Sequence, residues 1–266
     1  MYTLIRSRKS FFKVVLFWVA FFLLLNGLGN LSSLIPQNWN YLFGGIVLIV
    51  FSMLLILYLL KREHNSLSSI GLNWQPVTTR HLIIGTVLGM VVIGLMLYTL
   101  TIFSPIKIER VSNPDYWNSI GWAAFVIFVL ALMEEIAFRS YPLVRLSESV
   151  GIRTSIYITS IVFAFYHGLS PANLLGPGVW GLFFGLAAIR TNGIALPVGF
   201  HFGLNWMQSL FGMKTHLASS IWTVIPDASN QYFSYETVGL VLQIIFLVLG
   251  IALIELHVRK HRNEVT

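Results

Sequence analysis

The apolar residues of this 266-residue chain come in long blocks rather than at amphipathic spacing. Residues 41–60 form a run of 20 residues without a charge, and residues 81–103 contain only the terminal His81 as a titratable group. About 20 consecutive apolar residues are enough to cross the hydrocarbon core of a bilayer as an α-helix. Because lipid offers the backbone no hydrogen bonds, we expect these blocks to be membrane-spanning helices.

The pattern predicts one all-α domain over residues 1–266, a polytopic membrane helix bundle of about eight transmembrane helices. The predicted spans are 11–28, 41–60, 81–103, 118–147, 151–168, 173–190, 194–212 and 237–257. The fourth is longer than a membrane needs, and we expect its helix to continue until Gly151. The loop at 213–236 is expected to hold a short interfacial helix around Ser219 to Ile225. Glycine pairs spaced four apart predict close helix packing: Gly85/Gly89, Gly181/Gly185 and Gly199/Gly203.

Composition and charge agree with a membrane protein. Only 10% of the residues are charged, against about 25% in soluble domains. If the N-terminus is cytoplasmic, 14 of the 17 lysines and arginines fall on the cytoplasmic side, and only Lys107, Arg110 and Lys214 lie outside. Positive charge is retained on that side during insertion. The chain is therefore predicted to be a multi-pass protein with both termini cytoplasmic. Its basic residues suit contact with the lipid bilayer rather than with nucleic acid.

Most charges lie toward the ends of the predicted spans, but three lie deeper in one, and near a helix centre each costs about 2.5–3.5 kcal/mol on the insertion scale. They are Glu134, Glu135 and Arg139 in the fourth span. Glu135 and Arg139 are spaced i,i+4, so they can pair on one helix face. Glu134 is turned by about 100° from Glu135 and points elsewhere. Charged residues inside a membrane usually face a cavity and mark function.

Helix lengths predict that several polar residues meet at one depth. Glu134 lies 16 residues before Val150, and His167 lies 16 residues after Gly151. A hairpin that turns at Val150–Gly151 would bring these two side chains to the same level. His201 and Asn205 are spaced i,i+4 on the seventh span and reach a similar depth if the helices are straight.

These residue types fit peptide hydrolysis. The reaction needs an activated water, a proton donor for the leaving amine and support for the oxyanion. Glu134 can take the proton from water and His167 can orient that water, while His201 and Asn205 can donate to the oxyanion. A metal-dependent alternative uses Glu134, His167 and His201 as ligands of one zinc or other divalent metal. The metal-free version is favoured because Asn205 is an unusual ligand for zinc but a good donor to an oxyanion.

At these positions the chain resembles the CPBP family of CAAX proteases and bacteriocin-processing enzymes, also called Abi. Three motifs carry the resemblance: Glu-Glu-x-x-x-Arg at 134–139, Phe-x-x-x-His at 163–167 and His-x-x-x-Asn at 201–205. The resemblance implies an intramembrane endopeptidase with catalytic residues Glu134, His167, His201 and Asn205, supported by Glu135, Arg139 and Phe163. Family members in bacteria have been linked to bacteriocin self-immunity.

The predicted catalytic core covers about residues 118–212. The expected substrate is a membrane-associated peptide, either a prenylated tail or a leader peptide, and the compact size favours the bacterial plasma membrane. Two other function classes remain open. One is a non-catalytic bacteriocin-immunity or peptide-binding membrane protein. The other is a proton- or cation-coupled transporter, which is disfavoured because we find no inverted repeat.

Overall fold

The computed structural model of the chain describes residues 2–31, 34–214, 220–227 and 233–263. Its helices are α1 (Tyr2–Leu31), α2 (Gln37–Arg62), α3 (Pro76–Phe103), α4 (Ala123–Arg139), α5 (Tyr141–Val150), α6 (Ile152–Tyr166), the single turn α7 (Pro171–Asn173), α8 (Val179–Thr191), α9 (Ala195–Leu210) and α10 (Tyr235–Asn263). A 3₁₀ turn covers Leu67–Ile70, and π-helical turns cover Trp117–Trp122 and Leu174–Gly178. Two strands, β1 (Ile106–Arg110) and β2 (Trp222–Pro226), complete the described elements.

All eight predicted hydrophobic segments are helical, and the all-α polytopic bundle is confirmed. Six helical segments of the described chain are long and apolar enough to cross a membrane: Ser10–Leu31, Trp39–Arg62, Pro76–Phe103, Trp117–Val150, Pro171–Thr191 and Tyr235–Lys260. The other two are shorter, with 15 residues in α6 and 16 in α9. At 1.5 Å per residue they reach about 22–24 Å, less than the roughly 30 Å hydrocarbon core. Both short helices carry residues of the predicted site.

The fourth predicted span is not one continuous helix to Gly151, and that prediction is wrong. The helix breaks at Ser140, whose backbone has φ −84° and ψ −112°. Pro142 explains the break, since it has no N–H to donate to the carbonyl four residues earlier and its ring clashes there. The Trp18 indole N–H donates to the Ala137 carbonyl in the last turn of α4 (3.1 Å). An aromatic side chain of α1 thus satisfies a carbonyl near the interrupted end of α4.

The expected interfacial helix near Ser219 to Ile225 is also wrong where the structure describes it. Residues Trp222–Pro226 form β2, which pairs antiparallel with β1, so that Ile108 faces Val224. Residues 215–219 lie outside the described part. Both strands contain β-branched residues, which favour extended structure. The pair joins the loop after α3 to the loop after α9 at one end of the bundle.

The tightest helix contact joins α3 to α9 through glycines, as the spacing predicted. A Cβ placed on Gly85 or Gly89 would collide with backbone atoms of α9, and one on Gly199 or Gly203 would collide with backbone atoms of α3. Small residues allow backbones to approach this closely in membrane proteins. Because α9 carries His201, this contact fixes one side of the predicted site.

Glu63 joins three helices at the opposite end of the bundle from the strands. Its carboxylate accepts from the Lys13 ammonium (2.9 Å), the Tyr141 hydroxyl (2.7 Å) and the Arg145 guanidinium (2.9 Å). Burial alone would raise the pKa of Glu63, but the hydrogen bonds from Lys13 and Tyr141 and the charge of Arg145 hold it below its ordinary value. These contacts hold α1 and α5 against the end of α2.

We predict that Gly203→Ala lowers the thermal stability of the protein in detergent. The added methyl has no space against α3, and overpacking of this kind costs about 1–3 kcal/mol. Gly44→Ala is the matched control, because no atom lies within 4 Å of a Cβ at Gly44 and alanine is the better helix former. An unchanged melting temperature for Gly203→Ala would contradict the close packing of α3 on α9.

A second prediction concerns pH. A carboxylate whose pKa is lower in the folded than in the unfolded protein contributes stability above its unfolded pKa and loses it as the pH falls through the folded value. Wild type should therefore exceed Glu63→Gln in melting temperature at pH 7, and the difference should shrink as the pH falls below about 4.5, the ordinary pKa of this group. Glu109→Gln, which removes an exposed pair with Lys107, should change little. A gap between wild type and Glu63→Gln that persists at low pH would count against this account.

Candidate active site

The structure brings Glu134 together with both predicted histidines. Glu134 lies on α4, His167 immediately follows α6 and His201 lies on α9. Glu134 Oε2 is 3.5 Å from His201 Nε2 and 3.9 Å from His167 Nε2. That oxygen is buried and has no hydrogen-bond partner among the described residues. A carboxylate oxygen between two imidazoles can accept a proton from a small molecule that enters between them.

The His201 ring lies between two carboxylates. Its Nδ1 is 2.9 Å from Glu135 Oε1, and its Nε2 faces Glu134 at the longer distance given above. The sequence assigned Glu134 and Glu135 to different faces of α4, and in the structure they reach opposite nitrogens of the same ring. Glu135 is fully buried, and His201 is only 4% exposed. The short contact with Glu135 therefore orients the ring and directs Nε2 toward Glu134.

The predicted pairing of Glu135 with Arg139 is confirmed. Arg139 Nε is 3.5 Å from Glu135 Oε2, and both side chains are fully buried. The guanidinium lies 4.2 Å from the centroid of the Phe163 ring and 5.4 Å from that of Phe184. Cation–π contacts of this kind are stronger when the cation is removed from water. Arg139 therefore compensates the charge of Glu135 inside an aromatic enclosure.

Phe163 and Phe184 also hold the two histidines. Phe184 stacks on His201 with ring centroids 4.6 Å apart, and the edge-to-face contact between Phe163 and His167 is 4.7 Å. Phe163 thus contacts His167 and Arg139, which explains its place in the motif through packing. The two phenylalanine rings restrict the side-chain rotamers of His167 and His201, which would otherwise be free to rotate in the cavity.

The backbone determines the tautomer of His167. Its Nδ1 is 3.0 Å from the Phe163 carbonyl oxygen, one helical turn earlier. A carbonyl can only accept, so Nδ1 carries the hydrogen in this contact. In the neutral ring Nε2 is then unprotonated and faces Glu134 Oε2. His167 can therefore accept a hydrogen bond from a water that also reaches Glu134.

Asn205 and both histidines line one cavity of about 210 Å³. This volume corresponds to about seven water molecules. Aromatic rings form one wall of the cavity, including Trp180 and Phe184. The hydrogen-bonding side chains face a space that can hold water and a short stretch of peptide.

Four further polar residues lie at the site and were not predicted there from the sequence. Gln208, Lys214 and Gln243 line the same cavity, and the Tyr166 hydroxyl interacts with the Glu134 carboxylate. Gln208 had a usable signal, since it is spaced i+3 from Asn205 on the same face of α9. Gln243 is a polar residue within an apolar helix, which is also a functional signal. Lys214 was assigned only to membrane topology.

The metal-dependent alternative requires Glu134, His167 and His201 as a ligand set. Their nitrogen and oxygen donors are of the types that zinc prefers. Within the part of the chain that the structure describes, no three His, Cys, Asp or Glu side chains are placed to hold a metal ion. His201 Nε2 and His167 Nε2 lie 3.5 Å and 3.9 Å from Glu134 Oε2, so the three candidate ligands are neighbours in the structure.

Comparison with known proteins adds the family. No curated protein matches the chain. Residues 116–207 match a family model described as type II CAAX prenyl endopeptidase Rce1-like. The match contains all seven residues that carried the predicted resemblance to the CPBP family, from Glu134 to Asn205. Residues 116–207 of this multi-pass membrane protein are therefore similar to an Rce1-like type II CAAX prenyl endopeptidase domain, and the predicted resemblance to the CPBP family is confirmed.

Proposed function

We propose that the protein is an intramembrane endopeptidase in which Glu134 activates the attacking water. The observation that carries this proposal is the Glu134 carboxylate oxygen, which is buried and lies within 4 Å of two imidazole nitrogens. The Rce1-like domain supports peptide hydrolysis as the reaction class. A transporter would need a continuous polar path through the bundle, whereas His167, His201 and Asn205 line a single cavity of about 210 Å³.

In the proposed first step, water occupies the space beside Glu134 and donates one hydrogen to its carboxylate. His167 Nε2 accepts the second hydrogen and so orients the water oxygen toward the scissile carbonyl carbon. As the oxygen–carbon bond forms, negative charge develops on the carbonyl oxygen. Asn205 Nδ2 and His201 Nε2 donate hydrogen bonds to this oxyanion, which stabilises the transition state.

Glu135 and Arg139 support His201 in this step. Donation from Nε2 while Nδ1 also donates to Glu135 requires a doubly protonated ring, which the Glu135 carboxylate stabilises at 2.9 Å. Two carboxylates lie side by side on α4, Glu134 and Glu135, and the Arg139 guanidinium pairs with Glu135. In the second step, the carbon–nitrogen bond breaks and Glu134 returns its proton to the leaving amine. The products are a new carboxyl terminus and a free amine, and Glu134 is ionised again.

The substrate we propose is a membrane-associated peptide, either a prenylated tail or a leader peptide, cleaved at the bacterial plasma membrane. The family description names prenyl endopeptidases, and a membrane-embedded site favours substrates that already reside in the bilayer. No metal ion is required by the mechanism as written. A zinc or other divalent ion on Glu134, His167 and His201 is the alternative, in which the metal would polarise the water.

The decisive test is peptide cleavage by purified protein in nanodiscs. The probes are a prenylated peptide with a CAAX end and a library of bacteriocin-like leader peptides. Glu134→Gln keeps the shape of the side chain but cannot take the proton, so we expect a loss of at least roughly 100-fold in kcat. Glu148→Gln is the matched control, because Glu148 is exposed and pairs with Arg145 away from the cavity. Cleavage should continue in the presence of chelator.

Other outcomes would replace the proposal. Loss of activity with chelator and its recovery with zinc would establish the metal-dependent mechanism. Wild-type protein that binds the peptides and cleaves none of them would indicate an immunity or peptide-binding role. Equal activity in wild type and Glu134→Gln would exclude Glu134 as the base.

A further inference from the structure

His167 lies at the point where α6 ends, so the helix holds its backbone on one side only. It follows Tyr166, the last residue of α6, and its N–H donates to the Ala164 carbonyl (3.1 Å). The carbonyls at the end of a helix have no partner within the helix. Gly168 comes next with φ +120°, a conformation that glycine adopts most readily, and turns the chain away from the helix. The His167 carbonyl must therefore be held by a group outside α6.

The side chain of Asn173 supplies that contact. Its Nδ2 donates to the His167 carbonyl (2.8 Å) and to the Gly168 carbonyl (2.9 Å). An amide nitrogen has two hydrogens, so one side chain satisfies both acceptors. Both distances are those of ordinary N–H···O hydrogen bonds. These two bonds, which we call the Asn173 clamp, hold the peptide groups on either side of Gly168.

Asn173 is itself held in place by the turn on which it lies. Ser170 is the N-cap of α7, and its Oγ accepts from the Asn173 N–H (3.2 Å). Pro171, at the start of α7, restricts the backbone of this turn. A Cβ on Gly168 would lie 2.9 Å from Asn173 Nδ2, so glycine also leaves the space that the amide occupies. The Asn173 clamp is therefore built into residues 168–173.

Holding the backbone at this point also holds the His167 ring. Nδ1 reaches the Phe163 carbonyl at 3.0 Å while the last turn of α6 keeps its helical geometry. Nε2 then lies 3.9 Å from Glu134 Oε2. Packing restrains this ring less than that of the other histidine, since the His167 side chain is 31% exposed and that of His201 is 5% exposed. If the last turn of α6 unwinds, His167 loses the contact that determines its tautomer.

We propose that Asn173 is a positioning residue that holds His167 in the orientation required for water activation. This inference rests on the proposed peptidase function and adds to it a residue outside the three sequence motifs at 134–139, 163–167 and 201–205. Asn173 acts through the backbone of His167 and exchanges no proton with the reacting atoms. A displacement of about 1 Å at a catalytic group can cost about 100-fold in rate, so a contact of this kind has a measurable effect.

The test replaces the amide by a carboxylate of the same shape. Asn173→Asp keeps the size of the side chain but has no hydrogen to donate when it is ionised, so both carbonyls lose their partner. Asn26→Asp is the matched control, because Asn26 Nδ2 also donates to a backbone carbonyl, that of Phe22 (2.8 Å), on an exposed part of α1.

Two readings are taken in nanodiscs. Cleavage of the prenylated peptide with a CAAX end gives kcat and KM. The ¹⁵N spectrum of protein labelled at histidine, recorded at alkaline pH where the imidazole is neutral, shows which ring nitrogen of His167 carries the hydrogen. The His167 signal is assigned by its loss in His167→Gln.

We expect Asn173→Asp to lower kcat by roughly ten- to hundredfold and to leave KM nearly unchanged, because misplacement of a catalytic group slows the chemical step more than it weakens binding. The His167 signal should change from the Nδ1–H tautomer to an average of both tautomers. Gly168→Ala should have the same effects, since its Cβ would displace the amide. Ser170→Ala removes only the cap of α7 and should keep most of the kcat, and Asn26→Asp should change neither reading.

An unchanged kcat and an unchanged His167 signal in Asn173→Asp would overturn the inference. It would also be overturned if Ser170→Ala and Asn173→Asp lost activity equally while the His167 signal stayed that of wild type, since Asn173 would then only stabilise the turn. If Asn173→Asp does not melt cooperatively, Gly168→Ala provides the same two readings.

The spectrum needs no turnover, so the two proposals fail in different measurements. A wild-type protein that cleaves no peptide would reject the proposed peptidase. An altered His167 signal in Asn173→Asp would even then establish that Asn173 orients the ring. Normal cleavage by both proteins would leave the peptidase standing and remove Asn173 from its mechanism.

Discussion

The centre of this bundle depends on keeping charged side chains where neither water nor lipid headgroups can solvate them. Glu135 and Arg139 are fully buried, and each such charge costs about 2.5–3.5 kcal/mol on the insertion scale. The cost is offset by pairing, since Glu135 contacts both the guanidinium and the His201 ring. Removing any one of these partners would leave a buried charge uncompensated, which is more damaging than removing the whole set.

The aromatic rings around this cluster follow from the same constraint. Phe163 and Phe184 contact Arg139, and each also contacts a histidine. A ring face attracts a cation yet requires no hydrogen bond of its own. It can therefore stabilise Arg139 and restrict His201 at once, which a polar side chain could do only with further buried partners. The Phe-x-x-x-His motif combines one such ring with the histidine that it contacts.

Hydropathy predicted the helices, and residue spacing predicted which polar side chains share a depth. What failed were features that depend on single residues or on distant pairing. The break at Ser140 follows from Pro142, a local signal that the expectation of a continuous helix to Gly151 left out of account. The pairing of β1 with β2 joins segments more than 100 residues apart, beyond any local signal. Gln243 reaches the cavity only because α10 packs where it does, and Lys214 only because of its loop.

The glycine contact between α3 and α9 holds the α9 wall of the cavity in place. Neither helix can slide or separate from the other without losing backbone contact along Gly85, Gly89, Gly199 and Gly203. The opposite wall includes α10. Only 17% of the residues in the apolar window of this helix are buried, the lowest share among the six candidate spans. Changes of sequence that reshape the cavity can therefore accumulate on α10 and its loop without moving His201 or Asn205. In mechanical terms, the α10 side of the cavity can be redesigned by substitution while the packing that holds α9 is left untouched.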